Sequence, residues 1–186
     1  MSDPLHGFAT LASALAHVWA QLGRGAADAR HPMRFVTLAT MGARGPEART
    51  VGLRRASRAD AVVEVHSDGR TGKVRALAAD PRAEVLAWDR RRQLQVRLSG
   101  VVEAIPADPG RWARVPEAGR LNYGTDPAPG TPVDRPELVT RTPDVARFVA
   151  LRMTVSRIDA VTLAPDPHRR ALFVAEDGFR GTWTAP

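Results

Sequence analysis

Apolar residues near the start of the chain recur at the spacing of a helix. They lie three or four positions apart and so fall on one stripe of a helix surface, as do Phe8, Leu11, Leu15, Trp19 and Leu22. The pattern predicts an amphipathic helix from about residue 5 to residue 22, packed on the body of the protein. Ser2-Asp3-Pro4 offers an N-cap followed by a proline suited to the first turn.

Beyond Met33 the pattern changes to short apolar runs separated by turn residues, which is typical of strands. We expect five strands, of which the first three form an antiparallel meander. A short helix over residues 71–79 follows the third strand and stops before Asp80-Pro81. The fifth strand alternates apolar and polar residues, so it has one face of each kind. The strands are predicted at residues 34–40, 48–55, 61–66, 83–88 and 93–105.

Residues 106–145 are rich in proline and predict one or two short helices within a long ordered loop. Further strands are expected at residues 147–155, 157–163, 171–175 and 179–183. Many short strands with one terminal and one internal helix predict a mainly β fold, a small barrel decorated by helices. We treat residues 1–186 as one domain, made of an N-terminal helix (1–30), a barrel core (33–105), the loop and short-helix segment (106–145) and C-terminal strands (146–186).

Composition fits a folded protein of one compact domain. The 186 residues are 44% hydrophobic and 25% charged, close to the average for globular proteins. The chain has no cysteine, which excludes a disulfide and a thiolate nucleophile. No apolar run reaches the roughly 18 to 20 residues that cross a bilayer, and we expect a cytoplasmic protein without a membrane partner.

The formal net charge of +7 raises the possibility of a polyanionic partner. The arginines are scattered along the chain, however, and aromatic residues make up only 5% of it, too few for a stacking surface. The sequence therefore disfavours nucleic acid. Lys73 is the single lysine in a chain that otherwise uses arginine for its positive side chains.

One stretch combines a helix start with two cations. Gly69-Arg70-Thr71-Gly72-Lys73 opens the predicted internal helix, where unpaired N–H groups and the helix dipole favour an anion. Arg70 and Lys73 are one helical turn apart and can converge on that anion, arginine as a planar fork and lysine as a point charge. The stretch predicts a phosphate monoester site. A solvated helix start with two surface cations is the alternative.

Two strand segments carry further candidate groups. Residues 49–54 have an arginine at each end, but strict alternation directs Arg49 and Arg54 to opposite faces unless the strand bulges near Gly52. Gln95 and Arg97 share the polar face of the fifth strand. An amide and a cation of this kind can hydrogen-bond the pyrimidine edge of a flavin and stabilise its reduced form. An ordinary solvated strand is the alternative in both cases.

Other catalytic patterns are missing from the sequence. The five histidines show no pair at metal-ligand spacing, and no Gly-x-Ser-x-Gly elbow occurs. Metalloenzyme and hydrolase functions are therefore disfavoured. We assign no catalytic side chain and no metal ligand.

Three blocks of this sequence resemble the pyridoxamine 5'-phosphate oxidase superfamily, the flavin mononucleotide (FMN)-binding split barrels. In the order that the family has them, they are Arg49-Thr50-Val51-Gly52-Leu53-Arg54, Ser67-Asp68-Gly69-Arg70-Thr71-Gly72-Lys73 and Gln95-Val96-Arg97-Leu98-Ser99-Gly100. The resemblance implies a six-stranded antiparallel split β-barrel with an N-terminal helix and short peripheral helices. It also implies a homodimer, FMN in a cleft between the subunits and a small-molecule substrate.

The resemblance further implies which residues hold the cofactor. The first block would hold the flavin through its backbone and flanking cations, the second would bind the phosphate, and the glutamine of the third would reach the ring. The implied cofactor-binding residues are Arg49, Thr50, Val51, Leu53, Arg54, Ser67, Arg70, Thr71, Lys73 and Gln95. The implied function is an FMN-dependent oxidoreductase.

The C-terminal part departs from the vitamin B6 enzymes of this superfamily. Ala160 and Val161 stand where a tryptophan is expected, and Asp166 replaces the first arginine of an Arg-x-His-x-Arg run whose other members are His168 and Arg170. A carboxylate there would repel a phosphorylated substrate. We therefore expect a member of the broader branch. The alternatives are pyridoxamine or pyridoxine phosphate oxidation and non-catalytic binding of a flavin, haem or deazaflavin.

Overall fold

The computed structural model describes residues 7–163 and 167–186. Its first helix, α1 (Leu11–Ala27), starts and ends later than predicted, and residues 7–10 are not helical. The helix begins at Thr10, which forms a capping box with Ser13 and so satisfies two backbone N–H groups at the helix start. Phe8 of the apolar stripe is buried just before the helix. The N-cap suggested at residues 2–4 lies outside the described residues.

The predicted three-strand meander and the internal helix are confirmed, with small shifts at the ends, and the fourth strand pairs with the first rather than with the third. The helix between the third and fourth strands is α2 (Gly72–Ala79). The five strands are β1 (Phe35–Gly42), β2 (Gly45–Ser57), β3 (Val62–Asp68), β4 (Arg82–Asp89) and β5 (Leu94–Pro106). Buried Val36 and Leu38 of β1, and Val96 and Leu98 of β5, alternate with residues on the outer face, as period-two strands require.

The proline-rich segment between β5 and the next long strand contains little regular structure. Its elements are α3 (Pro109–Ala113), α4 (Glu117–Arg120) and the two-residue strands β6 (Thr125–Asp126) and β7 (Thr140–Arg141). The expected short helices are therefore present. Single 3₁₀ turns occur at Pro32–Arg34, Pro136–Leu138, Val145–Arg147 and Ala175–Asp177.

The strand β8 (Phe148–Thr162) closes the barrel, because it pairs with β3 on one side and with β5 on the other. The closed order is β8-β3-β2-β1-β4-β5, and all pairings are antiparallel. Two further strands, β9 (Arg169–Val174) and β10 (Thr182–Thr184), extend the sheet from β8. The predicted fold class, a mainly β six-stranded barrel with an N-terminal helix and short helices, is confirmed. Among the described residues, no helix is long and apolar enough to span a membrane.

The prediction of two separate strands at residues 147–155 and 157–163 is wrong. β8 runs through both, because a bulge absorbs the polar residue that interrupts the apolar pattern. Ser99 pairs with Arg157 whereas Gly100 pairs with Val155, so Ser156 has no partner in the register. Its hydroxyl donates to the carbonyl of Ser99 at 3.2 Å.

Gly100 allows the close approach of β5 and β8 at this bulge. A Cβ at this position would collide with the backbone carbonyl of Thr154. We expect Gly100→Ala to lower the free energy of unfolding by roughly 1–3 kcal/mol, measured by urea denaturation, because backbone atoms must shift. Gly23→Ala is the control: nothing lies within 4 Å of its added carbon, and alanine in α1 is expected to add roughly 0.5–1 kcal/mol. Equal effects of both substitutions would contradict this account.

Candidate functional site

The turn between β3 and α2 presents hydroxyl groups and one ammonium group to the same point. The Ser67 and Thr71 hydroxyl oxygens are 3.0 Å apart, and the Lys73 Nζ donates to the Ser67 Oγ at 3.2 Å. Thr71 is the N-cap residue of α2 but makes no side-chain cap bond, and the first turn of a helix leaves its N–H groups without intrahelical partners. The turn therefore offers several hydrogen-bond donors to an anion.

A second cation lies near Lys73, and it comes from β2. Burial lowers the pKa of Lys73, and the positive charge of Arg49 lowers it further, against Asp68, which raises it. The Arg49 guanidinium is held by the Thr40 Oγ1 at 2.7 Å and by the Glu47 carboxylate at 2.8 Å. Because two like charges face each other here, an anion between them would relieve their repulsion.

The structure does not bring Arg70 to Lys73. The Arg70 Nε and Nη2 donate to the Asp68 carboxylate at 3.0 and 2.7 Å, and its Nη2 also donates to the Thr125 carbonyl at 2.7 Å. The hydrogen bonds to Asp68 raise the pKa of Arg70, and the charges of Asp126 and Asp144 raise it further. The backbone explains the difference. Arg70 lies in the turn before α2 and is not part of the helix, so the helical spacing that would bring it to Lys73 does not apply. Its side chain binds the buried Asp68 instead.

The residues of the first block do not lie together. Some are in the barrel core, and the two arginines lie near different parts of the chain, one near Lys73 and the other near Tyr123. Val51 and Leu53 are buried in the core, so only their backbone can reach a ligand, whereas Thr50 is exposed on the outer face. The register shifts between Leu53 and Arg55, which puts the bulge at Arg54 rather than at Gly52. The charge of Arg49 acts on Lys73, whereas that of Arg54 acts on Tyr123: burial raises the pKa of Tyr123, and Arg54 lowers it.

Gln95 lies half-buried on the outer face of β5, opposite Trp88 of β4 and Val161 of β8. Its neighbour Arg97 is bound to Glu84, with the Nε and Nη2 donating to the carboxylate at 2.7 and 3.0 Å. The charge of Arg97 is therefore already balanced by a carboxylate. Gln95 remains the candidate polar group on this part of the strand.

The sequence did not identify a cavity of about 450 Å³ whose wall includes one of the predicted site residues, Arg54. It lies between the end of α1, strands β2 and β3, and the segment after β5, and five arginines contribute to its wall. The residues that line it are Ala26, Ala27, Arg34, Arg54, Arg55, Glu64, His66, Arg111, Arg114, Val115 and Pro116. Glu64 and His66 are two polar residues at alternate positions of an otherwise apolar strand, and that pattern was the available signal.

A buried carboxylate organises one wall of the cavity. Glu64 accepts from the Arg111 Nε at 2.9 Å, and its other oxygen is 3.1 Å from the His66 Nε2. Burial raises the pKa of Glu64, but the hydrogen bonds of His66 and Arg111 outweigh burial and leave that pKa below its usual value. The Arg111 Nη1 also donates to Asp108 at 2.9 Å. The His66 Nδ1 is buried and has no hydrogen-bond partner among the described residues.

Three of the arginines that line the cavity form no ion pair with a described carboxylate. Within the described ranges, Arg34, Arg54 and Arg114 have no carboxylate at ion-pair distance. The Arg34 Nη1 donates to the carbonyls of Ala26 and Leu53 at 2.7 and 2.9 Å. Burial and the nearby charge of Arg54 lower the pKa of Arg34. These unpaired cations favour an anionic ligand over a neutral one in the cavity.

Comparison with known proteins agrees with this architecture. Residues 16–106 match the family model described as "Pyridoxamine 5'-phosphate oxidase, FMN-binding domain". These residues belong to the pyridoxamine 5'-phosphate oxidase-like family. The family recognised from the three blocks is thus confirmed. No curated protein matches the chain.

Solved structures share the fold at low sequence identity. A pyridoxamine 5'-phosphate oxidase-related FMN-binding protein from Nostoc punctiforme is 22% identical, with a TM-score of 0.74 over 92% of this chain and 96% of that one. PhzG from Burkholderia lata, in complex with tetrahydrophenazine-1-carboxylic acid, is 20% identical, with a TM-score of 0.73 over 100% and 98%. A haem-binding protein from Mycobacterium smegmatis is 20% identical, with a TM-score of 0.51 over 85% of this chain and 58% of that one.

The structure describes some of the residues at which this chain departs from the B6 enzymes of the family. Ala160 and Val161 are buried in β8. Arg170 is bound to Asp159, with its Nε and Nη2 donating at 2.9 and 2.7 Å. Asp166 lies outside the described residues, so its position relative to the cavity stays a sequence-based expectation.

The Glu64–Arg111 pair gives a prediction about stability and pH. Removing the cation by Arg111→Met leaves the buried Glu64 carboxylate with His66 as its remaining partner, and we expect a loss of about 3–5 kcal/mol in the free energy of unfolding at pH 7. In the parent, the pKa of Glu64 is below its usual 4.5, so its contribution is present above that pH and is lost as the pH falls through the folded value. In the variant, burial raises the pKa of Glu64, so protonation in acid removes the penalty.

The difference between variant and parent should therefore shrink between pH 7 and pH 4, as measured by urea denaturation at both pH values. Arg152→Met is the control. It removes an ion pair with Glu103 whose side chains are 38% and 61% exposed, and we expect a change within about 1 kcal/mol. A deficit in Arg111→Met that is independent of pH would show that Glu64 is not the group responsible.

Proposed function

We propose that the protein is an FMN-dependent oxidoreductase. The observation that carries the proposal is the donor set at the turn before α2, where Lys73 donates to the Ser67 hydroxyl, that hydroxyl lies 3.0 Å from the Thr71 hydroxyl, and the charge of Arg49 acts on Lys73. Two cations, two hydroxyls and the open N–H groups of a helix start match the charge and the acceptor oxygens of a phosphate monoester. The FMN-binding description of the matching family supports the choice of FMN.

The chain's own residues have separate tasks in this proposal. Arg49, Ser67, Thr71 and Lys73 would hold the phosphate group. Thr50, Val51 and Leu53 would contribute through the β2 backbone, and Gln95 would hydrogen-bond the ring from the outer face of β5. When bound, FMN would accept or donate a hydride, and the protein would fix its position and exclude water. A cytoplasmic location remains part of the proposal.

The arginine-lined cavity is the proposed substrate site. Arg34, Arg54 and Arg114 lack carboxylate partners, so they favour a molecule that carries a carboxylate or phosphate group. The PhzG structure holds a carboxylic acid, which is consistent with this substrate class. Pyridoxamine 5'-phosphate belongs to the same class, and hydrogen peroxide release on its addition would assign that narrower activity.

Removing the Lys73 ammonium should weaken FMN binding. A charge-assisted hydrogen bond contributes roughly 1.5–3 kcal/mol, so Lys73→Ala should raise the dissociation constant about 10- to 150-fold in a titration followed by flavin fluorescence. Arg75→Ala is the control, because Arg75 is exposed on α2 and donates to the Arg70 carbonyl. Wild-type protein that takes up no FMN would refute the proposed function.

We propose that the protein works as a homodimer with FMN at the subunit interface. Large apolar side chains on the outer face of β1 and β4 support this, since Phe35 is 64% and Trp88 is 41% exposed, and Trp88 lies opposite Gln95. Contiguous apolar surface of this kind marks an interaction site.

Light scattering after size-exclusion chromatography should give the mass of two 20.1 kDa chains. Trp88→Glu should shift the protein toward monomer, because a charge would be buried in the interface. Leu138→Glu, at an equally exposed apolar position in the segment between β5 and β8, should leave the dimer intact. A monomeric wild type would contradict this part of the proposal.

A further inference from the structure

Two arginines from the predicted cofactor blocks lie at the same short stretch of the segment between β5 and β8. We call residues 107–147 the strap. Burial raises the pKa of Tyr123 and the nearby charge of Arg54 lowers it, and the Arg70 Nη2 donates to the Thr125 carbonyl at 2.7 Å. The Arg147 Nη1 donates to the same carbonyl at 3.3 Å. The second block is therefore hydrogen-bonded to the strap through Arg70, and the charge of Arg54 from the first block acts two residues away.

The electrostatic surroundings of Arg70 are opposite to those of Lys73. Asp68, Asp126 and Asp144 are the charges that act on Arg70, and all three would repel a phosphate group. The charges that act on Lys73 are Arg49, which favours an anion, and Asp68. A phosphate bound beside Lys73 therefore has no electrostatic reason to draw Arg70 away from Asp68.

Asp68 connects the phosphate turn to Arg70. Its backbone carbonyl accepts from the Ser67 Oγ at 3.1 Å and from the Thr71 Oγ1 at 2.9 Å, while its carboxylate accepts from Arg70. The Asp68 side chain is only 2% exposed, so it has little freedom to move independently of the turn. A hydroxyl that donates its one proton to a phosphate releases the Asp68 carbonyl, but the Thr71 amide still donates to that carbonyl at 3.2 Å, so a ligand that fixes the turn also fixes the residue that orients Arg70.

The position of the strap decides the shape of the proposed substrate cavity. Arg111, Arg114, Val115 and Pro116 of the strap form one wall. Trp112 and Tyr123 pack their rings on Phe148 at centroid distances of 5.6 and 5.2 Å, and this small cluster anchors the strap on the barrel. The strap contains little regular secondary structure. A neighbouring ligand can therefore change the order of the strap more than that of the barrel strands.

We propose that Arg70 is a positioning residue that couples FMN binding to the order of the strap, and so to the substrate cavity. This inference rests on the proposed FMN site at Lys73. FMN at the turn immobilises Asp68, Asp68 holds Arg70, and Arg70 holds the Thr125 carbonyl. Because linkage is reciprocal, an ordered strap also strengthens FMN binding. The cofactor therefore completes the cavity wall before the substrate enters.

The test measures amide hydrogen exchange in the strap with and without saturating FMN, alongside FMN affinity by fluorescence. The reporting amides are Tyr123, Thr142 and Asp144, which donate to the carbonyls of Arg120, Gly124 and Tyr123. In the wild type, FMN should slow their exchange about tenfold, the factor that one ordinary hydrogen bond supplies. In Arg70→Ala their exchange should be faster without FMN and should no longer respond to FMN.

Arg82→Ala is a matched control from the other end of α2. Arg82 binds Asp80 in the same way as Arg70 binds Asp68, with its Nε and Nη2 at 2.9 and 2.7 Å, but its side chain is 82% exposed and makes no contact with the strap among the described residues. This variant should exchange as the wild type does. Arg70→Ala should weaken FMN binding by no more than about tenfold, the factor by which FMN slows strap exchange, because linkage is reciprocal.

Two results would overturn the inference. Strap exchange in Arg70→Ala that equals the wild type would show that Arg70 does not hold the strap, and this comparison needs no FMN. A loss of FMN affinity in Arg70→Ala as large as in Lys73→Ala, with unchanged strap exchange, would make Arg70 a phosphate ligand. Failure of the wild type to bind FMN would instead refute the proposed function, and the comparison without FMN would still decide the role of Arg70.

Discussion

The pairing of β8 with both β3 and β5 is the constraint on which the rest of the structure depends. It closes the barrel and places Phe148, the first residue of β8, beside Asp68, the last residue of β3. It also joins the two ends of the strap, because the Ala107 amide donates to the Phe148 carbonyl at 2.8 Å. The Gly69 amide donates to the Arg147 carbonyl at 2.7 Å. The phosphate turn and the strap therefore share one end of the barrel.

Charge is distributed unevenly at that end of the barrel. An arginine-rich chain with a net charge of +7 could have presented a uniformly positive surface. Instead, carboxylates bind Arg49, Arg70 and Arg111, whereas no described carboxylate forms an ion pair with Lys73, Arg34 or Arg54. These unpaired cations favour an anion at the turn before α2 and in the cavity. The first is the proposed site of the cofactor phosphate and the second that of a small anionic substrate.

Local sequence patterns predicted much of the fold and part of the site. Alternation of apolar residues located the strands, and a glycine- and cation-containing helix start located α2, where the phosphate site is proposed. Local patterns did not predict the proximity of Arg49 and Lys73, because it depends on how β2 and α2 pack against each other; only the family resemblance assigned both to one site. Sequence spacing suggested that Arg70 would join Lys73, but spacing carries no information about Asp68 and Thr125, which bind Arg70 instead. The bulge at Arg54 and the continuity of β8 likewise depend on strand pairing.

A crystal structure of the FMN complex would test the central claim most directly, which is that the anion site is built from Lys73 and Arg49 and not from Arg70. The account predicts the phosphorus atom beside the Lys73 Nζ and the Arg49 guanidinium, with both Arg70 hydrogen bonds to Asp68 retained. A phosphate group bound by Arg70 that has left Asp68, or one bound elsewhere on the barrel, would contradict it.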